Sequence, residues 1–530
     1  MAVPDIFKQR SQSENWDLNN ASNIQSNATI EADVIIIGTG AGGGVTAEVL
    51  SQAGLKVVMI EEGGLKTSDD FNMDEIEAYG SLYQEGAART TKDGAFSIFQ
   101  GRTVGGTTVV NWTSSFRTPA STLNHWKDVH GVNGFSPAEM KPYFEQMEKR
   151  LNVEKWKMAP NANNDILKKG CEKNNWSWSV IPRNVSGCWD LGYCGTGCPT
   201  NAKQSMLVTT VPEALKNGGR LYYNCSAHKL LFSNNKVESV ECLAIGQDGK
   251  TPTGVKLSFK ARHIVLSGGG INNPGLLLRS NAPDPHNRIG KNTTIHPVNA
   301  NVAKMPDTVN PFYGAPQSIY SDQFQWPDDG EIGFKLEVPP MQPAMGGQIL
   351  GFHGFRLVDT MKDLPNLQGT IALMRDGFTE ESQGGSVELD SGGKPILDYP
   401  LTDYIWKGLR KAHHVMAEIQ FAAGAKQVMP LHHDATFYKT LAECKTAIDN
   451  LPQEIHRQRL LTAHVMGGCS MGEDHRTSVI NSDGRFHHAD NLSIIDGSAF
   501  PTSIGANPQL SVYGLALKMA TNLAKQLQTS

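Results

Sequence analysis

Thirty-one mostly polar residues, MAVPDIFKQRSQSENWDLNNASNIQSNATIE, give way at position 32 to ADVIIIGTGAGGGVTAEVLSQAGLKVVMIEEGG. The apolar run Val34 to Ile37 predicts a strand that runs into a glycine cluster. Gly43 to Gln52 then predicts a helix ending near Gly54, and Lys56 to Ile60 a second strand. Strand, glycine turn, helix and strand in that order predict a βαβ unit of a parallel sheet. Further on, RHIVLSGGG (262–270) predicts a strand ending in glycines, and NNPGLLLRS a helix with Pro274 near its first turn. SVELDSGGKPILDYP (386–400) alternates apolar and polar positions about a Ser-Gly-Gly turn and predicts a hairpin. From Asp403, the spacing of Ile405, Leu409, Val415 and Ile419 predicts a helix. There is no internal repeat or low-complexity tract, and the pattern as a whole is α/β.

The chain has 530 residues, 39% hydrophobic and 19% charged. That length predicts two or more domains, since single cores stop growing at about 250–300 residues. A net charge of −5 gives no electrostatic argument for nucleic acid or anionic lipid. No run of 18 apolar residues occurs, so no transmembrane segment is expected. The first 31 residues lack the apolar stretch of a secretory signal and are expected to be a polar arm docked on the body. The default expectation is a cytoplasmic protein, with the inner membrane or periplasm reached through a partner subunit. Eight cysteines are too few for a disulfide scaffold in so long a chain.

Gly38, Gly40 and Gly43 fit G-x-G-x-x-G between strand and helix, and the second strand delivers Glu61 about twenty residues later. Glycines at those places allow a tight turn and close approach of a pyrophosphate to the unpaired N–H groups of the helix N-terminus. Glu61 is the candidate for the ribose hydroxyls, with Glu62 as its rival. This fingerprint does not separate NAD from FAD.

Three further stretches bear on that choice. GRTVGGTTVVN (101–111), SGGGINNPGLLLRS (267–280), and AHVMGGCSMG with NLSIIDGSAFPTSIGANPQLSVYGLALKMA near the C-terminus resemble signature segments of the glucose-methanol-choline (GMC) flavoprotein oxidoreductases. The chain departs from the family at Gly468, where Thr is usual, and at the aromatic after Asn111, displaced to Phe116. The resemblance implies FAD, held non-covalently because TTVVN lacks the tethering histidine. It implies a Rossmann-like FAD-binding domain assembled from 32–115, 200–300 and 456–530. A discontinuous α+β substrate domain would take 116–199 and 301–455, with a cysteine-rich loop at 188–198. To the glycines and Glu61 it adds Arg102, Gly105, Gly106, Asn111, Ala227, Ser267, Asp496, Gly497 and Pro508 as cofactor-binding residues.

It also makes His464 and Asn507, 43 residues apart, the catalytic pair. Oxidising an alcohol removes a hydroxyl proton while a hydride leaves the carbon. A neutral imidazole suits the first task, and an amide that holds the oxygen serves the second. Read without the family, an Asn before Pro508 and an apolar-periodic segment is also a helix N-cap. His296 is a candidate pocket residue; His413–His414 and His487–His488 read as surface or helix positions. The absence of HExxH argues against a zinc hydrolase.

Cys188, Cys194 and Cys198 form C-x5-C-x3-C, which resembles the loop holding a [3Fe–4S] cluster in catalytic subunits of bacterial FAD-dependent glucose dehydrogenases. The alternative is a Gly-rich loop with free or disulfide-bonded thiols; Cys171 or Cys225 could supply a fourth ligand. A cluster would carry electrons to a partner, whether an electron-accepting or cytochrome subunit or a quinone, and so favours a dehydrogenase over an oxidase. CGTGCPTNAKQS, IHPVNANVAKMPDTVNPFYGAPQSIYSD and FKLEVPPMQPAM resemble the long-chain fatty alcohol oxidase branch, which implies a hydrophobic alcohol. Phe312, Tyr313, Met341 and Met345 are then candidate pocket residues, or ordinary core. The other readings are a sugar or polyol dehydrogenase subunit and, outside alcohol oxidation, a non-redox lyase or an electron-transfer flavoprotein on the same fold.

Overall fold

The computed structural model describes residues 3–529. Two eight-stranded sheets organise it. In the first, the strands run in the order Asp17–Asn20, Arg220–Tyr223, Val57–Ile60, Ala28–Ile37, Pro252–Leu266, Lys236–Ile245 and Cys225–Ser233, with Leu492–Ile494 also beside Pro252–Leu266. All neighbours in the first half are parallel, as β-α-β crossovers demand, and the last three strands form an antiparallel meander. Val34 to Ile37 and Val57 to Ile60 are buried without alternation, the signature of strands covered on both faces.

The βαβ unit forms with shifted boundaries. The first strand begins at Ala28, and the helix is Ala41–Gln52 with Gly40 at its N-cap. Leu266 ends the third strand before helix Gly269–Arg279, which holds Pro274 in its interior rather than its first turn. The N-terminal arm is more than polar wrapping: Asp17–Asn20 pairs in register with Arg220–Tyr223, and Phe7 and Trp16 stack edge-on in the core. Helix Pro137–Arg150 places Met140, Phe144 and Met147 in the same core and packs on the C-terminal helix Gln509–Thr529, so this part of 116–199 lies with the first sheet.

The second sheet is mainly antiparallel, ordered Phe96–Ile98, Leu460–Thr462, Val298–Lys304, Leu367–Met374, Phe334–Glu337, Ile319–Ser321 and Ser179–Val180, with Gln427–Pro430 also on Val298–Lys304. Helix Asp403–Ala422 covers one face through Ile405, Leu409, Val415 and Ile419. The hairpin Ser386–Leu389 with Pro395–Asp398 packs on helix Gly269–Arg279, tying the two halves together. No helix among the described residues is long and apolar enough to cross a membrane.

Candidate active site

A cavity of about 1340 Å³ runs from the glycine turns of the first sheet to the face of the second. That exceeds the roughly 300–1,000 Å³ of a typical ligand pocket and leaves room for a dinucleotide and a second molecule. Gly38, Gly40, Glu61, Arg102, Gly106, Asn111, Ala227, Ser267, Asp496, Gly497 and Pro508 all line it.

Gly43 and Gly105 stand behind the wall. A Cβ on Gly43 would run into the carbonyl oxygen of Gly38, so this glycine lets the helix pack on the strand. Gly105, at φ +92°, donates its N–H to Thr39 Oγ1 at 2.9 Å. At Gly40 the space is open: a Cβ would meet only Gly106 Cα, at 3.8 Å. The two glycine turns thus abut beneath the N-terminus of helix Ala41–Gln52, whose first amides have no carbonyl of their own to bond. This backbone fits a pyrophosphate.

The two acids after the second strand do different work. Glu61 is buried and accepts from the N–H and hydroxyl of Thr39, at 3.1 and 2.7 Å, and from the N–H of Gly63 at 3.0 Å. Burial pushes its carboxyl above the usual range, and these donors oppose the shift. Glu62 is committed to Arg102 Nε and Gln84 Nε2, both at 2.8 Å. Burial pushes it up, but Arg102 and its other partners outweigh that and hold it below its ordinary value. Arg102, expected on the cofactor, is therefore half of an ion pair with Glu62 at the cavity wall.

At the other end of the cavity lie His464 and Asn507. His464 follows strand Leu460–Thr462, and its N–H donates to Thr462 Oγ1 at 3.1 Å. The chain next pairs with Thr294 through Met466 at 2.8 Å in both directions, which brings His296 behind His464. The two Nδ1 atoms are 3.1 Å apart, so one carries hydrogen and the other accepts. His296 is itself fixed: buried Asp376 accepts from the N–H of Ile295 and of His296, holding a turn in which His296 has φ +47°. Burial pushes the Asp376 carboxyl up to about 6. The N–H of Gly505 donates to His296 Nε2 at 3.1 Å. Burial, and after it the charge of Lys335, lower His464 to about 3, so its imidazole is neutral. His296, a candidate pocket residue from the sequence, does not line the cavity but backs His464.

Asn507 directly precedes Pro508 and helix Gln509–Thr529, but its side chain turns away from the helix. Its Nδ2 donates to Glu337 Oε2 at 3.1 Å, and its Oδ1 lies 3.5 Å from Lys335 Nζ. Lys335 and Glu337 form a buried ion pair at 3.2 Å, 3% and 0% exposed. Neither was singled out from sequence. The signal was there in FKLE: two charges two apart, on one face of a strand in which every residue is buried.

Beyond this polar end the cavity is lined by Val298, Ala300, Ile371, Leu373 and Leu431 from the second sheet and its edge. Met341 and Met345 line it as expected. Phe312 and Tyr313 do not, and Tyr313 is 60% exposed. Of the histidine pairs read as surface or helix positions, His413 is buried, its Nδ1 2.6 Å from Asn301 Oδ1.

The cysteine loop departs most from expectation. Cys188, Cys194 and Cys198 are free, and their sulfurs reach three separate partners: Asp190 Oδ1 at 4.0 Å, Arg183 Nη2 at 3.8 Å and Thr200 Oγ1 at 3.4 Å. No group of three or more His, Cys, Asp or Glu among the described residues could hold a metal ion. The spacing puts the thiols on one short loop, but buried Lys203, whose ammonium donates to the carbonyl oxygens of Val109, Asn111 and Cys194, fixes how that loop folds. The geometry lends the cluster no support.

Family models described as GMC oxidoreductase match residues 79–298 and 381–516, together more than half of the chain. Long-chain-alcohol oxidase FAO1 of Arabidopsis thaliana is 27% identical over 526 residues, covering 94% of this chain and 67% of the plant protein. An uncharacterized GMC-type oxidoreductase, y4nJ, of Sinorhizobium fredii is 28% identical over 507 residues, covering 94% and 95%. Among solved structures, a formate oxidase of Aspergillus oryzae RIB40, studied for FAD modification, superposes with a TM-score of 0.70 at 14% identity, covering 94% of this chain and 99% of that one. Pyridoxine 4-oxidase from Mesorbium loti gives 0.64 at 17%, with the same coverage.

Proposed function

The chain belongs to the GMC oxidoreductase family, and from that premise we propose that it is an FAD-dependent alcohol oxidoreductase acting on hydrophobic, long-chain primary alcohols. The observation that carries this reading is a single cavity that joins a dinucleotide cradle to the His464–Asn507 pair and then to an apolar chamber. When bound, FAD supplies the acceptor for the hydride. Gly38, Gly40, Gly106 and the N-terminus of helix Ala41–Gln52 hold its pyrophosphate, and Glu61 its ribose. Trp112 Nε1, buried at the cavity wall with no hydrogen-bond partner among the described residues, is a donor that could meet a bound group.

The alcohol hydroxyl sits between His464 and Asn507. Neutral His464 takes its proton, and Asn507 holds its oxygen. Proton uptake at Nε2 calls for hydrogen on His464 Nδ1, with His296 accepting. The Gly505 N–H on His296 Nε2 favours the opposite tautomer, so proton uptake requires the His296 proton to move from Nδ1 to Nε2. The aliphatic lining removes the chain from water at about 0.8 kcal/mol per buried CH₂ and offers the hydroxyls of a sugar few partners.

The expectation of a dehydrogenase rested on an iron–sulfur exit for electrons. The thiols, on separate partners, lend that exit no support, and the plant relatives are named oxidases. Anaerobic mixing with an alcohol series tests the reading: long-chain primary alcohols should bleach the flavin and sugars should leave it yellow. The reverse ranking would overturn the substrate class. Oxygen uptake on re-aeration then separates oxidase from dehydrogenase.

A further inference from the structure

Lys335 and Glu337 stand two residues apart on one face of strand Phe334–Glu337, away from solvent and outside the cavity lining. A buried ion pair rarely adds stability over apolar residues of the same size, because desolvation offsets the attraction. Here everything around it is specific. The Lys335 ammonium lies 3.0 Å from the centre of the Phe116 ring and 4.4 Å from that of Tyr320, so aromatic faces replace its water on that side. On its other side stand Glu337 Oε1, an ion-pair partner at 3.2 Å, and Asn507 Oδ1 at 3.5 Å. Glu337 Oε2 receives the Asn507 amide.

We infer that the Lys335–Glu337 pair is an orienting device that fixes which face of the Asn507 amide meets the substrate oxygen. An ammonium can only donate and a carboxylate can only accept. The amide must therefore put its oxygen toward Lys335 and its nitrogen toward Glu337, and this follows from chemistry whichever way the near-symmetric group is drawn. One Nδ2 hydrogen is used on Glu337. The other has no partner among the described residues, on a side chain that lines the cavity. That N–H is the donor offered to the alcohol oxygen as it gives up its proton and gains negative charge. The opposite orientation would present a carbonyl oxygen and repel it. Glu337, at 3.1 Å, supplies the stronger half of the constraint, and Lys335, at 3.5 Å, the weaker. Both act through Asn507 and are positioning residues.

This inference rests on the proposed alcohol chemistry, and the experiment separates the two. The double variant Lys335→Met/Glu337→Gln removes both charges together, so no lone charge stays buried, and it should fold with FAD bound and little change in Tm. Its anaerobic flavin bleaching by 1-decanol should slow roughly ten- to hundredfold, the scale of a misoriented reacting group. In an Asn507→Ala background the same double change should slow bleaching by no more than about twofold, because the group it acts through is gone. Should the double variant fail to fold, Glu337→Asp, which keeps the charge and shortens its reach, is read in the same backgrounds. Calorimetric binding of decanoate, an unreactive anion with the same chain, gives a readout without turnover and should weaken in the double variant. Wild-type bleaching in the variants, or an equal loss with and without Asn507, would overturn the inference. If 1-decanol fails to bleach the wild-type flavin, the proposed substrate falls, and decanoate affinity, compared across the same backgrounds, still decides the orientation.

Discussion

His296 Nδ1 stands 3.1 Å from His464 Nδ1, at the end of a hydrogen-bonded line from Tyr399 through Asp376 and the His296 backbone. An imidazole held this way has its ring plane set by a second ring that is itself hydrogen-bonded on its far side. His296→Ala should keep FAD and fold, yet slow anaerobic bleaching by a long-chain alcohol roughly tenfold through lost orientation. Unchanged bleaching would reduce His296 to a packing residue.

The same surroundings set a pH dependence. Burial and the charge of Lys335 lower His464 to about 3, and His296, facing it, is likewise lowered. A base loses function when it protonates, so activity fails only as pH falls through the lowered value. Flavin reduction should therefore show no histidine limb between pH 5 and 8. An acid limb centred near the ordinary value of about 6.5 would contradict this environment.

Glu61 and Glu62 make a paired prediction. Glu61→Ala strips three donors of their acceptor at the glycine turn, at a cost of about 1–3 kcal/mol for each unsatisfied buried group, and removes the proposed ribose partner. It should purify with little flavin and a lowered Tm. Glu62→Ala breaks an ion pair at the wall and should retain more FAD. Absorbance at 450 nm against protein checks the order, and the opposite order would reassign the ribose to Glu62.

How much was legible in the chain follows from what fixes each residue. The meeting of Gly38, Gly40 and Glu61 at one end of the cavity could be read because a turn, a helix start and a strand end lie within thirty residues of one another. His464 and Asn507 came from segments whose family pattern ties position to role. The Lys335–Glu337 pair escaped because its meaning lies in a contact with Asn507, some 170 residues away, and a strand pattern does not say what it will face. The cysteine trio is the converse case: spacing fixes which residues share a loop, while the thiols there meet three different partners, Asp190, Arg183 and Thr200. Two strands inside the predicted cofactor segments, Phe96–Ile98 and Leu460–Thr462, pair in the second sheet, and the latter carries His464 to the seam between the two.

The apolar chamber should set chain length. Ala300→Phe fills space beside Ile371 and Leu431 on the cavity wall. The variant should lose the longest alcohols first, with KM rising severalfold for dodecanol while butanol is little affected, since each CH₂ denied burial forfeits about 0.8 kcal/mol. An equal effect on both alcohols would place the chain elsewhere.

The central claim is that His464 takes the alcohol proton in a cavity built for flavin and an apolar chain. Stopped-flow reduction of the bound flavin by 1-decanol without oxygen, wild type against His464→Ala, tests it most directly. The account predicts that the variant stays yellow and folded but is reduced roughly 10²–10⁴ times more slowly, the usual contribution of a general base. Reduction at the wild-type rate in His464→Ala would contradict it.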